Sequence, residues 1–216
     1  MDIFYQSISV TNYILITSYL IMHQDTDQYY ISKTLKGDSR AYSFLVEKYQ
    51  NFVYTIVIRM VKVKEEAEEV SQDTFIKAFQ SLSSYRGESK FSTWLYSIAY
   101  RKALDRIRKN NKINTSELIE EITESNFESI ENALHYIQEQ ERNEIIKKCI
   151  LQLKEQEAAI ITFYYYEDLT VKEIAKITQL TEDNIKVKLH RSRKKLFSLL
   201  KYFVLPEITI SNGKAI

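Results

Sequence analysis

Between Thr170 and Lys195 the chain carries its densest group of residues with chemistry to perform. Thr170 and Glu173 have the spacing of a capping box, in which the threonine oxygen accepts a backbone N–H and the glutamate reaches back. The helix they open carries Ile174, Ala175 and Ile177, and Ala175 is small, as a close helix crossing requires. After the turn Thr178-Gln179-Leu180, Thr181 caps a second helix, with Glu182 and Asp183 at its positive end. Ile185, Leu189, Leu196 and Leu199 form the inner stripe of that helix. Asn184, Lys188, Arg191 and Lys195 project from another face, flanked by Lys186 and Arg193. A capped short helix, a tight turn and a basic second helix make the arrangement that reads duplex DNA, with an ordinary helical hairpin as the alternative. Gln179 stands where glycine is usual in such a turn, so backbone strain is expected there.

A second group interleaves aromatic rings with cations. Tyr85, Phe91, Trp94, Tyr96 and Tyr100 offer stacking faces, and Arg86, Lys90, Arg101 and Lys102 offer phosphate partners. Phe91 and Trp94 read equally well as core, which leaves Tyr85 and Arg86 as the stronger candidates for DNA. Upstream, Glu65, Glu68, Glu69, Gln72 and Asp73 share the outer face of a helix. A hydrolase or nuclease built on Glu65 and Glu69 lacks the second His or Asp cluster that a metal site needs.

Other chemistries are excluded more simply. Cys149 is the only cysteine, so there is no intrachain disulfide and no thiolate cluster, and its plain reading is an inert buried thiol. His23, His135 and His190 lie far apart, with no paired ligand spacing. No metal and no cofactor is expected. The chain has 216 residues with only three Gly and one Pro, and no Gly between Glu88 and Asn212. Phosphate-binding glycine loops are absent from that half, and turn-rich sandwiches and barrels are disfavoured. At 44% hydrophobic and 27% charged, the composition is that of a soluble globular protein.

These residues must be positioned by helices. Asp38 or Ser39 caps a helix whose apolar side is Ala41, Phe44, Leu45, Tyr49, Phe52, Val53, Ile56, Val57 and Met60. A second helix, from about Lys64 to Phe79, turns Ala67, Val70, Phe75 and Ala78 inward. After a turn around Ser83–Lys90 containing Gly87, a third starts near Ser92 with Trp94, Leu95, Ile98 and Ala99 inward. Together these form a small domain over roughly residues 22–110. Residues 111–136 are polar and acidic and read as a linker. From about Ile137 a second helical set begins, with Ile145, Ile146, Cys149, Ile150 and Leu153 on one face. Ala158, Ala159, Ile161, Thr162 and Tyr165 belong to its next helix. The expected fold is all-α, two small helical domains joined by an acidic linker.

The net charge of +1 conceals segregation. Arg101, Lys102, Arg106, Arg108, Lys109 and Lys112 face only Asp105. Nine glutamates and one arginine follow between Glu117 and Glu144, and seven Lys/Arg with no acid between Lys186 and Lys201. Two cationic contact surfaces flanking an acidic connector are expected. At the N-terminus, Tyr13–Ile21 is apolar but too short to span a bilayer, which takes about 20 residues. Asp2 is the only charge before Asp25, unlike a secretory signal. Residues 1–21 are therefore either an extension upstream of a start at Met22 or a short element docking on the first domain, with no membrane insertion.

Two runs carry a family resemblance. Glu69-Val-Ser-Gln-Asp-Thr-Phe-Ile-Lys-Ala-Phe79, followed by Tyr85-Arg-Gly-Glu-Ser-Lys-Phe-Ser-Thr-Trp-Leu95, resembles region 2 of bacterial sigma factors of the extracytoplasmic-function (ECF) group. Tyr164-Tyr-Tyr-Glu-Asp-Leu-Thr170, with Glu173-Ile-Ala175 and Lys188-Leu-His-Arg-Ser-Arg-Lys-Lys-Leu196, is similar to their region 4. The resemblance covers about residues 24–201. It implies a non-enzymatic, cytoplasmic promoter-specificity subunit: region 2 at 22–110, a linker at 111–136, region 4 at 137–202 and a tail at 203–216.

By that resemblance, Glu65, Glu69, Gln72 and Asp73 meet core RNA polymerase, and the acidic linker threads toward its RNA exit path. Tyr85, Arg86, Lys90, Tyr96, Tyr100, Arg101 and Lys102 contact the melted −10 element of promoter DNA. Thr181, Asn184, Lys186, Lys188, His190, Arg191 and Lys194 contact the −35 duplex. Arg101 departs from the family, which often has Asn there. An anti-sigma factor is admitted as a further partner, though no residue here identifies one. The competing reading is a stand-alone operator-binding regulator, which would need neither the acidic helix nor the aromatic loop.

Overall fold

The computed structural model describes residues 27–110 and 139–204, all helix and turn among those residues. The N-terminal extension, the linker and the tail beyond 204 lie outside them. Helix α1, residues 27–35, turns at Gly37, whose φ of +100° suits a residue without a Cβ. Helix α2 (Ser39–Val61) follows, capped as expected by the Asp38 carboxylate, which accepts from Arg40 N at 3.2 Å. It ends at Lys62 in the left-handed conformation. Helices α3 (Lys64–Gln80) and α4 (Phe91–Asn110) complete the first domain, with a short 3₁₀ turn at Leu82–Ser84 between them. The second domain comprises α5 (Glu139–Leu151), α6 (Glu155–Tyr166), α7 (Val171–Thr178) and α8 (Glu182–Val204).

Most of the expected apolar stripes are core. Leu45, Val53, Ile56, Val57, Met60, Ala67, Leu95 and Ala99 are buried in the first domain, and Ile150, Leu153, Ala158, Ile161, Ile174 and Ile177 in the second. Phe44 departs from its predicted place: it is half exposed and stacks on Tyr30 of α1, ring centroids 4.5 Å apart. Tyr165 is likewise exposed, because Arg193 holds its hydroxyl at 2.6 Å on the outer side of α6. Near the end of α8 the fully covered position is Leu200; Leu196 and Leu199 are only half-buried. Leu200 closes a small satellite core with Cys149, whose thiol is buried and pushed up to about 11 by that burial.

The two domains share a continuous core. Helix α6 lies against α2, and α7 lies against α4. Phe163 of α6 enters a ring cluster with Phe52, Tyr96 and Tyr100 of the first domain, at centroid distances of 6.1 to 6.5 Å. Polar groups cross the same seam. Arg59 Nη1 donates to Thr162 Oγ1 at 3.0 Å, and Lys62 Nζ donates to the Leu153 carbonyl at 2.9 Å.

Candidate nucleic-acid interface

The helix-turn-helix is built as its local sequence dictates. Glu173 N donates to Thr170 Oγ1 at 3.2 Å, and Thr170 N donates to Glu173 Oε2 at 2.9 Å, closing the capping box. Burial on its own would raise the Glu173 carboxyl. The Thr170 hydrogen bonds and the Lys90 ammonium, 3.6 Å away, outweigh it and hold the group below its ordinary value. Gln179 takes φ +60°, the strained left-handed turn expected where glycine is usual. Thr181 Oγ1 accepts from Asn184 N at 3.3 Å and so starts α8. Ile185 and Leu189 are buried against α7 and α6.

The outer side of α8 is therefore free to meet another molecule. Thr181, Asn184, Lys186, His190 and Arg191 are exposed, and Lys188 and Lys194 are partly covered. Lys186 Nζ pairs with Asp183 Oδ1 at 3.1 Å within the first turns. Arg193 is directed elsewhere, with its guanidinium over the rings of Tyr164 and Tyr165.

The loop ahead of α4 forms a cleft of about 340 Å³ lined by Ser84, Tyr85, Arg86, Glu88, Ser89 and Trp94. Gly87 sits at its turn with φ +72°. Tyr85 Oη donates to the Ser89 carbonyl at 2.7 Å, and the Tyr85 ring lies within 5.4 to 5.6 Å of Trp94 and Phe91. Arg86 and Lys90 are exposed beside it. Phe91 is core and Trp94 is half-buried, so the structural side of both readings holds. Arg101 is exposed, its Nε bonded to the Ser97 carbonyl at 2.9 Å.

Two residues expected to face DNA do not face solvent. Tyr96 is 1% exposed and Tyr100 is 2% exposed, both covered by Phe163. In the docked arrangement these rings cannot stack on a base; their apolar area is satisfied by the second domain instead. Tyr96 Oη donates to Glu167 Oε2 at 2.9 Å, and its ionisation is pushed far up, first by burial and then by that carboxylate. Tyr100 Oη has no hydrogen-bond partner among the described residues, and burial pushes it up to about 12.

The acidic face of α3 also has a partner within the chain. Glu69 Oε1 lies 2.7 Å from Arg106 Nη2, and Asp73 Oδ2 lies 3.3 Å from Lys102 Nζ. The Arg106 hydrogen bond and charge hold the Glu69 carboxyl below its ordinary value. Two of the residues expected at a polymerase surface thus partly neutralise the basic face of α4. Glu65 and Gln72 are exposed and form no ion pair among the described residues.

Sequence reasoning missed Arg59 and Glu167. Arg59 is buried at the position three after Ile56, where the stripe of α2 calls for an apolar residue, so periodicity marked it. Its guanidinium lies 3.9 Å from the Tyr166 ring centroid. Burial lowers its pKa. Glu167 lies within the Tyr164–Thr170 run that carries the family resemblance, but nothing local gives it a partner, and only the approach of α4 with Tyr96 shows its role.

Comparison with known proteins decides the family. The sigma-70 region 2 family matches residues 45–113, and the sigma-70 region 4 family matches residues 143–196. The chain is 31% identical to the RNA polymerase sigma-H factor of Pseudomonas aeruginosa over 189 residues, covering 84% of this chain and 97% of that protein. The chain belongs to the ECF sigma factors. The sigma factor is also 32% identical to the ECF RNA polymerase sigma-E factor of Escherichia coli over 176 residues, 79% of this chain and 92% of the relative. Among solved structures, it shares its fold with the sigma factor RpoE in complex with the anti-sigma factor NepR from Bartonella quintana. The TM-score is 0.57 at 18% identity, over 74% of this chain and 96% of that one. CnrH in complex with the cytosolic domain of CnrY gives 0.54 at 18% identity, over 82% and 97%. As a sigma factor, the protein directs core RNA polymerase to promoters and is not itself an enzyme. No helix among the described residues is long and apolar enough to cross a membrane.

Proposed function

We propose that this sigma factor divides promoter reading between its two domains, residues 22–110 taking the −10 element and residues 137–202 the −35 element, with the acidic stretch 111–136 as linker. The observation that carries the reading is α8: a doubly capped helix-turn-helix whose free face presents Asn184, Lys186, Lys188, His190 and Arg191, with Thr181 and Lys194 at its margins. Such a face suits base edges and phosphates in a major groove. The cleft beside Tyr85 and Arg86 has the size of a small-ligand site and takes an unstacked base of the melted −10 strand. Lys90, Arg101 and Lys102 supply phosphate contacts along α4. Tyr96 and Tyr100 reach that strand only when α6 and α7 leave α4, so promoter melting requires the domains to separate. Glu65, Glu69, Gln72 and Asp73 dock core polymerase. The work takes place in the cytoplasm, and an anti-sigma factor is a fitting partner for a chain that shares its fold with two such complexes.

The test is holoenzyme affinity for an oligonucleotide carrying a premelted −10 element. Tyr85→Ala with Arg86→Ala is expected to weaken it by about 1–3 kcal/mol, the contribution of one stacked base. Binding of core polymerase should not change. Unaltered affinity for the premelted strand overturns the assignment of the cleft.

A further inference from the structure

Val187 stands on the free face of α8, where the chain itself makes little use of it. It is 48% exposed, so its burial contributes little to the core. Valine is β-branched and a weaker helix former than lysine or glutamate, so helix propensity does not account for it either. A solitary exposed apolar side chain is ordinary on a protein surface. The company of this one is not. Asn184, Val187, Lys188 and Arg191 follow the i, i+3, i+4, i+7 spacing that lines side chains along one helix face. Every other exposed side chain between Thr181 and Arg191 is polar or charged. The face therefore offers one rigid apolar surface in the middle of hydrogen-bond donors and cations.

We infer that Val187 packs on the C5-methyl group of a thymine in the −35 duplex and so selects thymine at one position of that element. Of the four bases only thymine displays a methyl group in the major groove. The branched Cβ restricts Val187 to few rotamers, so its two methyls are held ready for the contact at small entropic cost. The inference rests on α8 being the −35 reader, as proposed above.

The experiment isolates the methyl group. Holoenzyme assembled from the full chain and core polymerase selects duplexes from a pool randomised through the −35 element. Deoxyuridine then replaces each selected thymine in turn, which removes the methyl and keeps every hydrogen-bonding group. At one position the replacement is expected to weaken wild-type binding about fourfold, the factor that one buried methyl group supplies. Val187→Ala holoenzyme should bind the thymine and deoxyuridine duplexes equally, and its melting temperature should not fall below the wild type, because the site is exposed and alanine is the better helix former. Selection of an element without thymine, tolerance of deoxyuridine at every position, or an undiminished deoxyuridine effect in Val187→Ala overturns the inference. Lys188→Ala with Arg191→Ala separates the two levels. If that variant loses duplex binding while deoxyuridine has no effect, only the thymine contact is wrong. If it binds duplex normally, α8 is not the reader.

Discussion

Tyr96 of α4 donates its hydroxyl to Glu167, just past the end of α6, across a seam in which Tyr96 is buried and Glu167 half-buried. A side chain of the first domain, on the face proposed above for single-stranded DNA, is thereby held by the second domain. The contact makes the two halves of the sigma factor depend on one another.

The pH dependence follows from that contact. Burial, with Asp168 nearby, raises the Glu167 carboxyl above its ordinary value of 4.5, although the Tyr96 hydrogen bond opposes the shift. The folded, docked form therefore holds its proton more tightly than the unfolded chain. The contribution is fully present below about pH 4.5 and is lost as pH rises through the raised value. Glu69, Glu144 and Glu173 are shifted the other way, and their stabilisation is lost as pH falls below 4.5. Melting temperatures of Glu167→Gln, taken relative to wild type from pH 4 to 7, should rise with pH. A constant difference would show that Glu167 is not burdened by its burial.

Phe163 is the apolar centre of the same seam, fully buried against Tyr96 and Tyr100. Phe163→Ala is expected to cost about 3–5 kcal/mol in denaturant unfolding, the usual range for a phenylalanine cavity. A cost below about 1 kcal/mol would mean that the seam is not closed in solution.

Arg59 gives the opposite expectation. It is a buried cation whose partners among the described residues are the Thr162 hydroxyl and the ring and hydroxyl of Tyr166, with no carboxylate. Taking an unpaired cation out of water costs several kcal/mol, a cost that an apolar side chain of similar length does not incur. Arg59→Met should leave stability unchanged or raise it by about 1–2 kcal/mol. A large loss would reveal a stronger anion partner for Arg59.

On the acidic face of α3, proposed above to dock core polymerase, ion pairing separates two variants that look alike in sequence. Glu65 is exposed and forms no ion pair among the described residues, whereas Glu69 holds Arg106. Glu65→Lys should weaken affinity for core polymerase with an unchanged melting temperature. Glu69→Lys should lower both, because it sets a second cation beside Arg106. Normal core affinity in both variants would remove α3 from the docking surface.

Lys188→Ala with Arg191→Ala tests the division between domains. Holoenzyme should lose affinity for a full duplex promoter, by about 1–3 kcal/mol at one base position or as a salt slope smaller by about one unit. Binding to a premelted template lacking the −35 element should hardly change. Equal losses on both templates would place these residues in folding or polymerase contact.

Local physics made much of this protein legible in its sequence. The Asp38 cap, the Thr170–Glu173 box, the strained Gln179 and the stripes of α2 and α4 each depend on residues within a turn or two of one another. Short-range hydrogen bonding and helical periodicity are enough to specify them. The charge blocks and aromatic loop were visible for the same reason. Only tertiary structure decided which exposed-looking groups are covered. Tyr96 and Tyr100 carry stacking faces in any sequence reading, but their burial depends on Phe163, more than 60 positions away. Glu69 and Asp73 read as a free acidic face until α4 brings Arg106 and Lys102 alongside. A side chain's type and spacing determine what it can bind; which partner reaches it first depends on how distant helices pack, and no local pattern encodes that.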